Sequence, residues 1–189
     1  MRYEKGRKVA SRRRILEVAA DRIRSDGIAA TGLASNMSDA GLTNGAFYPH
    51  FQSKADLVRE TVASTMEGQA ELLRKTLAEE GVEAVIAAYL SPAHRDDAAG
   101  GCTFAALLPE LARQSLEARS VYADRLGMIA RELASALPPH LADREAAAMS
   151  LYATLIGTLQ LARAVEGTEL SDRILAAGAD AARTVAGIG

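Results

Sequence analysis

A chain of 189 residues, 49% hydrophobic and without Trp, suits one or two small domains with a core of Ala, Leu, Val, Ile and Met. Its single Cys excludes an internal disulfide and fits a reducing cytosol, and its longest uncharged apolar stretch, residues 149–162, is too short and polar to cross a bilayer. The net charge of −2 hides a division: residues 1–60 carry eleven Lys/Arg against seven Asp/Glu, the remainder eleven against seventeen.

A basic end on an acidic body is the electrostatic footprint of polyanion binding, although a solvated basic arm would look the same. The opening MRYEKGRKVASRRR also lacks the apolar segment of a secretory signal, so a cytoplasmic location is expected. No alternating β pattern occurs, and the chain reads as all-α, with about nine helices. Residues 1–7 form an arm. The first helix runs from about Lys8 to Ser25 with Ile15, Leu16, Ala19, Ala20 and Ile23 inward, and Gly27 stops it in a left-handed conformation. A second helix follows from the cap Thr31 to about Ser38, with Leu33, Ala34 and Met37 facing the core.

After a tight Ala40-Gly41-Leu42 turn, Thr43 caps a third helix through Asn44-Gly45-Ala46-Phe47-Tyr48, which Pro49 kinks or ends because it has no N–H to donate. Two short helices about such a turn make the layout of a helix-turn-helix DNA reader. Ser53-Lys54-Ala55-Asp56 is a capping box that opens a long fourth helix to about Glu80. A fifth spans about Val82 to Leu90, and SPAHRDDAAGG reads as a loop. Helices follow over about Cys102 to Arg113 and Ser115 to Leu137, then, past Pro138-Pro139, over about Ala142 to Val165 and Ser171 to Ala186.

The last two helices carry small, apolar faces. Ala146, Ser150, Ala153 and Gly157 on one, and Ile174, Gly178, Ala182 and Val185 on the other, suit a four-helix contact with a second copy; burial within one chain is the alternative.

The order G-x3-T, then A-G-L-T-x-G-A-F-Y-x-H-F-x-S-K-x-x-L, resembles the TetR family of bacterial helix-turn-helix regulators. It is carried by Gly27, Thr31, Ala40 to Thr43, Gly45 to Tyr48, His50, Phe51, Ser53, Lys54 and Leu57. With the helix before it the match covers roughly residues 8–60, and Gly100-Gly101-Cys102-Thr103-Phe104 with Leu108-Pro109-Glu110-Leu111 looks like one branch of the family. The resemblance implies a homodimer with a DNA-binding domain at residues 1–52 and a ligand-binding and dimerisation domain at residues 53–189. It implies a repressor on a near-palindromic operator, released by a small-molecule effector. Asn36, where the family commonly has an aliphatic residue, Ser38 at an often basic position and the helix-weakening Gly32 depart from the pattern. They keep open a second reading: a dimeric small-molecule-binding protein with weak or lost DNA binding.

For DNA, the candidate contacts are Arg12, Arg13, Thr31, Thr43, Asn44, Gly45, Tyr48, His50 and Lys54. Asn44 suits a base edge, Gly45 lets a backbone approach closely, and Tyr48 and His50 are phosphate clamps in the family. Thr31, Thr43 and Lys54 stand at helix N-termini, where an anion is favoured. For an effector, the candidate lining is Tyr89, His94, Cys102, Phe104, Leu108, Tyr122, Met128 and Tyr152, apolar walls with a few phenol and imidazole groups, each of which also reads as plain core. Cys102 follows two glycines at a helix start, which fits either a reactive sensor thiol or an inert buried one. His50, His94 and His140 sit in no metal-ligand spacing, and no phosphate-binding or nucleophile motif appears. No metal, no cofactor and no enzyme activity are expected.

Overall fold

The computed structural model describes residues 2–189, apart from the side chains of residues 2–5, 117 and 118; Met1 lies outside the described residues. Among them every regular element is helical: α1 (Arg2–Ala30), α2 (Leu33–Asp39), a single 3-10 turn (Asn44–Ala46), α3 (Lys54–Glu79), α4 (Gly81–Tyr89), α5 (Pro92–Asp96), α6 (Thr103–Leu111), α7 (Leu116–Ala136), α8 (Arg144–Ala164) and α9 (Glu169–Ala186). The expected arm is already helical from Arg2. Gly27 breaks α1 at φ 85°, ψ 165°, a region open essentially to glycine alone, rather than in the expected left-handed helical well.

Local chemistry sets most boundaries. The α2 end is a Schellman motif, in which Gly41 at φ 69° donates to the Ser38 carbonyl (2.9 Å) while Leu42 donates to the Met37 carbonyl (2.9 Å). Side chains of Ser53, Asp143 and Thr168 accept from backbone N–H groups in the first turns of α3, α8 and α9, each such cap contributing roughly 1 kcal/mol.

Four expectations are corrected. Gly32, not Thr31, is the N-cap of α2; the Thr31 hydroxyl donates to the Gly27 carbonyl (2.8 Å) and the residue is buried. The third helix shrinks to one 3-10 turn, since Pro49 offers no N–H to extend it and Gly45 is a poor helix former. The supposed loop after Leu90 contains α5, because Ser91 caps the His94 N–H (3.1 Å) and Pro92 pre-sets the first helical position. Arg163 of α8 completes this short helix by donating to the His94 and Arg95 carbonyls (2.7 and 3.0 Å). Ala34 is exposed, whereas Asn36 is fully buried, its Oδ1 without a partner and its Nδ2 3.5 Å from the Ile15 carbonyl oxygen.

One hydrophobic cluster runs from Ile15, Ala19 and Ile23 of α1 through Phe47, Phe51 and Leu57 to Leu107, Leu133, Leu151 and Leu155. The two ends of the molecule therefore share a core. On α8, Ala146, Ser150 and Ala153 are exposed beside Met149 and Leu161, and a side chain at Gly157 would meet open space. On α9, Ile174 and Val185 are half-buried. Gly178 and Ala182 correct the expectation of an outward stripe. A Cβ at Gly178 would lie 2.2 Å from Thr158 Cγ2, and Ala182 is fully buried, so both pack within the chain.

Candidate nucleic-acid interface and effector cavity

Two buried rings anchor the reader. Phe47 and Phe51 are each 1% exposed, with ring centroids 5.5 Å apart, and they fix the turn between α2 and α3 to the core. The Ala46 N–H donates to Thr43 (2.9 Å), Phe47 to Asn44 (3.2 Å), and His50 and Phe51 to Phe47 (2.9 and 3.1 Å). Held this way, Thr43, Asn44, Gly45 and Tyr48 all face solvent, Tyr48 at 70% exposure. The Thr43 hydroxyl makes no capping bond, and a Cβ on Gly45 would meet nothing nearer than Thr43 Oγ1 at 4.0 Å. Nothing inside the chain demands glycine there.

The other expected DNA contacts divide. Arg13 is exposed and within 3.4 Å of Glu17. Arg12 pairs with Glu60 and lies over the Phe51 ring, 5.2 Å from its centroid, so its charge is met within the chain. Lys54 donates to the Ala29 carbonyl (3.2 Å) and ties the start of α3 to the end of α1. Thr31 offers no exposed hydroxyl. His50 is half-buried with Nδ1 unpartnered; burial, then Lys8 and Arg12, push its pKa below the ordinary value.

A mostly apolar cavity of ≈ 260 Å³ lies in the body between α3, α4, α7 and α8, closed by the Gly100-Gly101-Cys102 turn. Tyr89, His94, Cys102 and Tyr152 line it as expected. Phe104 stands behind it, edge-on to Tyr152 with centroids 6.2 Å apart. Leu108 and Met128 are exposed at 36% and 37%, and Tyr122 is buried away from the lining, so these residues leave the candidate set. Sequence reasoning missed Gln69, Leu72 and Thr76 of α3. Gln69 had a signal, a polar residue in the apolar stripe Val62, Met66, Leu73.

The closing turn is fixed by hydrogen bonds. Gln69 Nε2 donates to the Gly101 carbonyl (2.7 Å) and its Oε1 accepts from the Thr103 N–H (3.2 Å). His94 Nδ1 donates to the Tyr89 carbonyl (2.7 Å), which leaves Nε2 to accept from the Cys102 N–H (3.1 Å). A Cβ on Gly101 would lie 2.8 Å from both Arg163 Nη2 and the Asp97 carbonyl oxygen. Cys102 Sγ is 3.7 Å from Tyr152 Oη. Burial pushes the Tyr89 and Tyr152 phenols well up and the His94 imidazole down, so all three stay neutral.

Two side chains join this region to α1. Arg24, its side chain only 8% exposed, donates to the carbonyl of Ala99, next to the cavity turn. Glu110 of α6 accepts from the N–H groups of Ile28 (2.9 Å) and Ala29 (3.3 Å), just past the Gly27 break. A Cβ on Gly27 would lie 2.6 Å from Glu110 Oε1.

Among the described residues no group of three His, Cys, Asp or Glu side chains is placed to hold a metal, and no helix is long and apolar enough to cross a membrane. An anchored turn presenting small and polar side chains, carried on a helical body with an internal cavity, is the form of a bacterial transcriptional regulator. Residues 15–61 match the family described as bacterial regulatory proteins, tetR family. No curated protein matches the chain. Among solved structures, a TetR transcriptional regulator from Chloroflexus aurantiacus aligns with a TM-score of 0.80 at 20% identity, over 97% of this chain and 96% of that one. Reduced NemR of E. coli aligns at 0.77 and 19%, over 93% and 96%, and a TetR-family regulator from Cytophaga hutchinsonii at 0.77 and 18%, over 94% and 96%. The chain carries the amino-terminal domain of the TetR family, on a body with the fold of TetR-family transcriptional regulators.

Proposed function

We propose that the chain is a ligand-responsive repressor that binds a near-palindromic operator as a homodimer in the cytoplasm and is released by a small effector. Residues 1–52 read DNA; residues 53–189 bind the effector and pair with the second copy. The observation that carries the reading is the exposed edge Thr43, Asn44, Gly45 and Tyr48 on its buried Phe47–Phe51 anchor. Asn44 is an amide suited to adenine, and Thr43 and Tyr48 are hydroxyl donors suited to phosphate. The exposed small-residue face of α8, with half-buried Ile174 and Val185 of α9, supports pairing with a second copy. Two reader turns in successive major grooves would then lie ~34–36 Å apart.

Selection of genomic fragments with the purified protein at two salt concentrations tests this. A recovered near-palindrome whose affinity falls steeply with salt is the expected result. Gly45→Leu should leave unfolding stability within about 0.5 kcal/mol, because its surroundings are open, yet weaken operator binding at least about tenfold. Unchanged operator affinity would overturn this docking. The second reading, a dimeric ligand-binding protein without effective DNA binding, draws on the shortened reader helix and buried Asn36. Weak, sequence-independent binding in the same selection would favour it.

A further inference from the structure

The cavity's polar groups can be accounted for one by one. Gln69 spends its amide on the Gly101 carbonyl and the Thr103 N–H, and His94 spends both ring nitrogens on Tyr89 and Cys102. Thr76 donates to the Leu72 carbonyl (3.0 Å), and Cys102 and Tyr152 face each other. Tyr89 Oη alone is buried against the cavity without a partner. Its ring cannot easily swing away, because it sits edge-on against His94 with centroids 4.7 Å apart.

No Asp, Glu, Lys or Arg lines the cavity, and its one imidazole is held neutral. A charged ligand would lose its hydration with no counter-charge to meet it, at a cost of several kcal/mol. An apolar ligand without a polar atom would leave the phenol unpaired. A buried phenol O–H donates more effectively than its oxygen accepts, so the missing partner is an acceptor.

We infer that the cavity takes an uncharged, mainly apolar molecule carrying one carbonyl-type oxygen, received by the Tyr89 hydroxyl. This rests on reading the cavity as the effector site and names the chemistry of that effector.

Calorimetric titration of the full chain with three probes of matched shape tests the inference: 2-acetylnaphthalene, 2-ethylnaphthalene and 2-naphthoate. The ketone should bind about tenfold more tightly than the hydrocarbon, the value of one buried hydrogen bond, and the carboxylate should bind weakest. Tyr89→Phe should bring the ketone down to the hydrocarbon's affinity and leave the hydrocarbon unchanged. Equal ketone and hydrocarbon affinities in the native chain, as when water keeps the phenol, would overturn the inference. So would a ketone preference that survives Tyr89→Phe, tightest binding of the carboxylate, or no binding by any probe. If Tyr89→Phe fails to fold, the three affinities of the native chain decide alone. Operator release is measured separately with the ketone: binding without release upholds the ligand chemistry and counts against the regulatory reading.

Discussion

His94 has no spare valence. Its Nδ1–H is spent on the Tyr89 carbonyl, and protonating Nε2 would set an N–H against the Cys102 N–H. Burial is the main cause that lowers its pKa from 6.5, with Arg163 adding to it. The unfolded chain therefore takes up the proton first. Stability is unaffected above the unfolded value and falls as pH drops from about 6.5 through the folded value. Urea unfolding between about pH 7.5 and about pH 5 should show this loss, and His94→Asn should flatten it in part. His50 shifts in the same direction, so His50→Gln serves as the companion variant. At this scale the sequence was partly legible. Tyr89, His94, Cys102 and Tyr152 read as a polar set among apolar walls, and the structure gathers them. Phe104, Leu108, Tyr122 and Met128 had the same composition signal, but the rotation of a helix about its axis decides which side chains reach a cavity.

Among the elements, α8 and α9 pack most closely where Gly178 meets Thr158. A methyl group there would sit 2.2 to 2.7 Å from Thr158 side-chain atoms, so something must shift. Gly178→Ala is expected to destabilise the chain by about 1–3 kcal/mol in chemical denaturation, despite alanine's better helix propensity. Thr158→Ala in the same chain should recover part of the loss, because it removes Cγ2 and Oγ1 but keeps Cβ. Periodicity had marked Gly178 and Ala182 as outward-facing, yet a small apolar stripe looks the same whether its partner is the next helix or a second copy. Boundaries were clearer where a cap set them, as at Ser53 and Gly41. The helix α5 went unread although Ser91-Pro92 is a start signal, because the glycines and aspartates after it read as loop. The reader was legible as a turn between anchors, but not as one turn of 3-10 helix.

For the molecule as a whole, Glu110 matters most, since its carboxylate holds two backbone N–H groups at the end of α1 from across the core. Glu110→Ala leaves the Ile28 and Ala29 donors without this partner, a loss of about 1–3 kcal/mol for bonds to a charged group. Hydrogen exchange should quicken at the Ile28 and Ala29 amides while amides in the middle of α8 keep their protection. Equal acceleration everywhere would mean that the contact supports global stability and not the local join. No local pattern in the sequence could reveal this pair, which lies 82 positions apart.

The cavity's construction bears on how such a protein changes over generations. Its frame is the Gln69, His94 and glycine turn, where almost any exchange leaves a buried donor or acceptor stranded. Its walls are Leu73, Val85, Ile129, Leu133 and Leu155, which offer only side-chain volume. Volume-conserving swaps among aliphatic residues usually cost less than about 1.5 kcal/mol. Drift can therefore reshape the cavity by small, survivable steps while its fastening to α1 stays intact, so that ligand preference evolves faster than the scaffold around it.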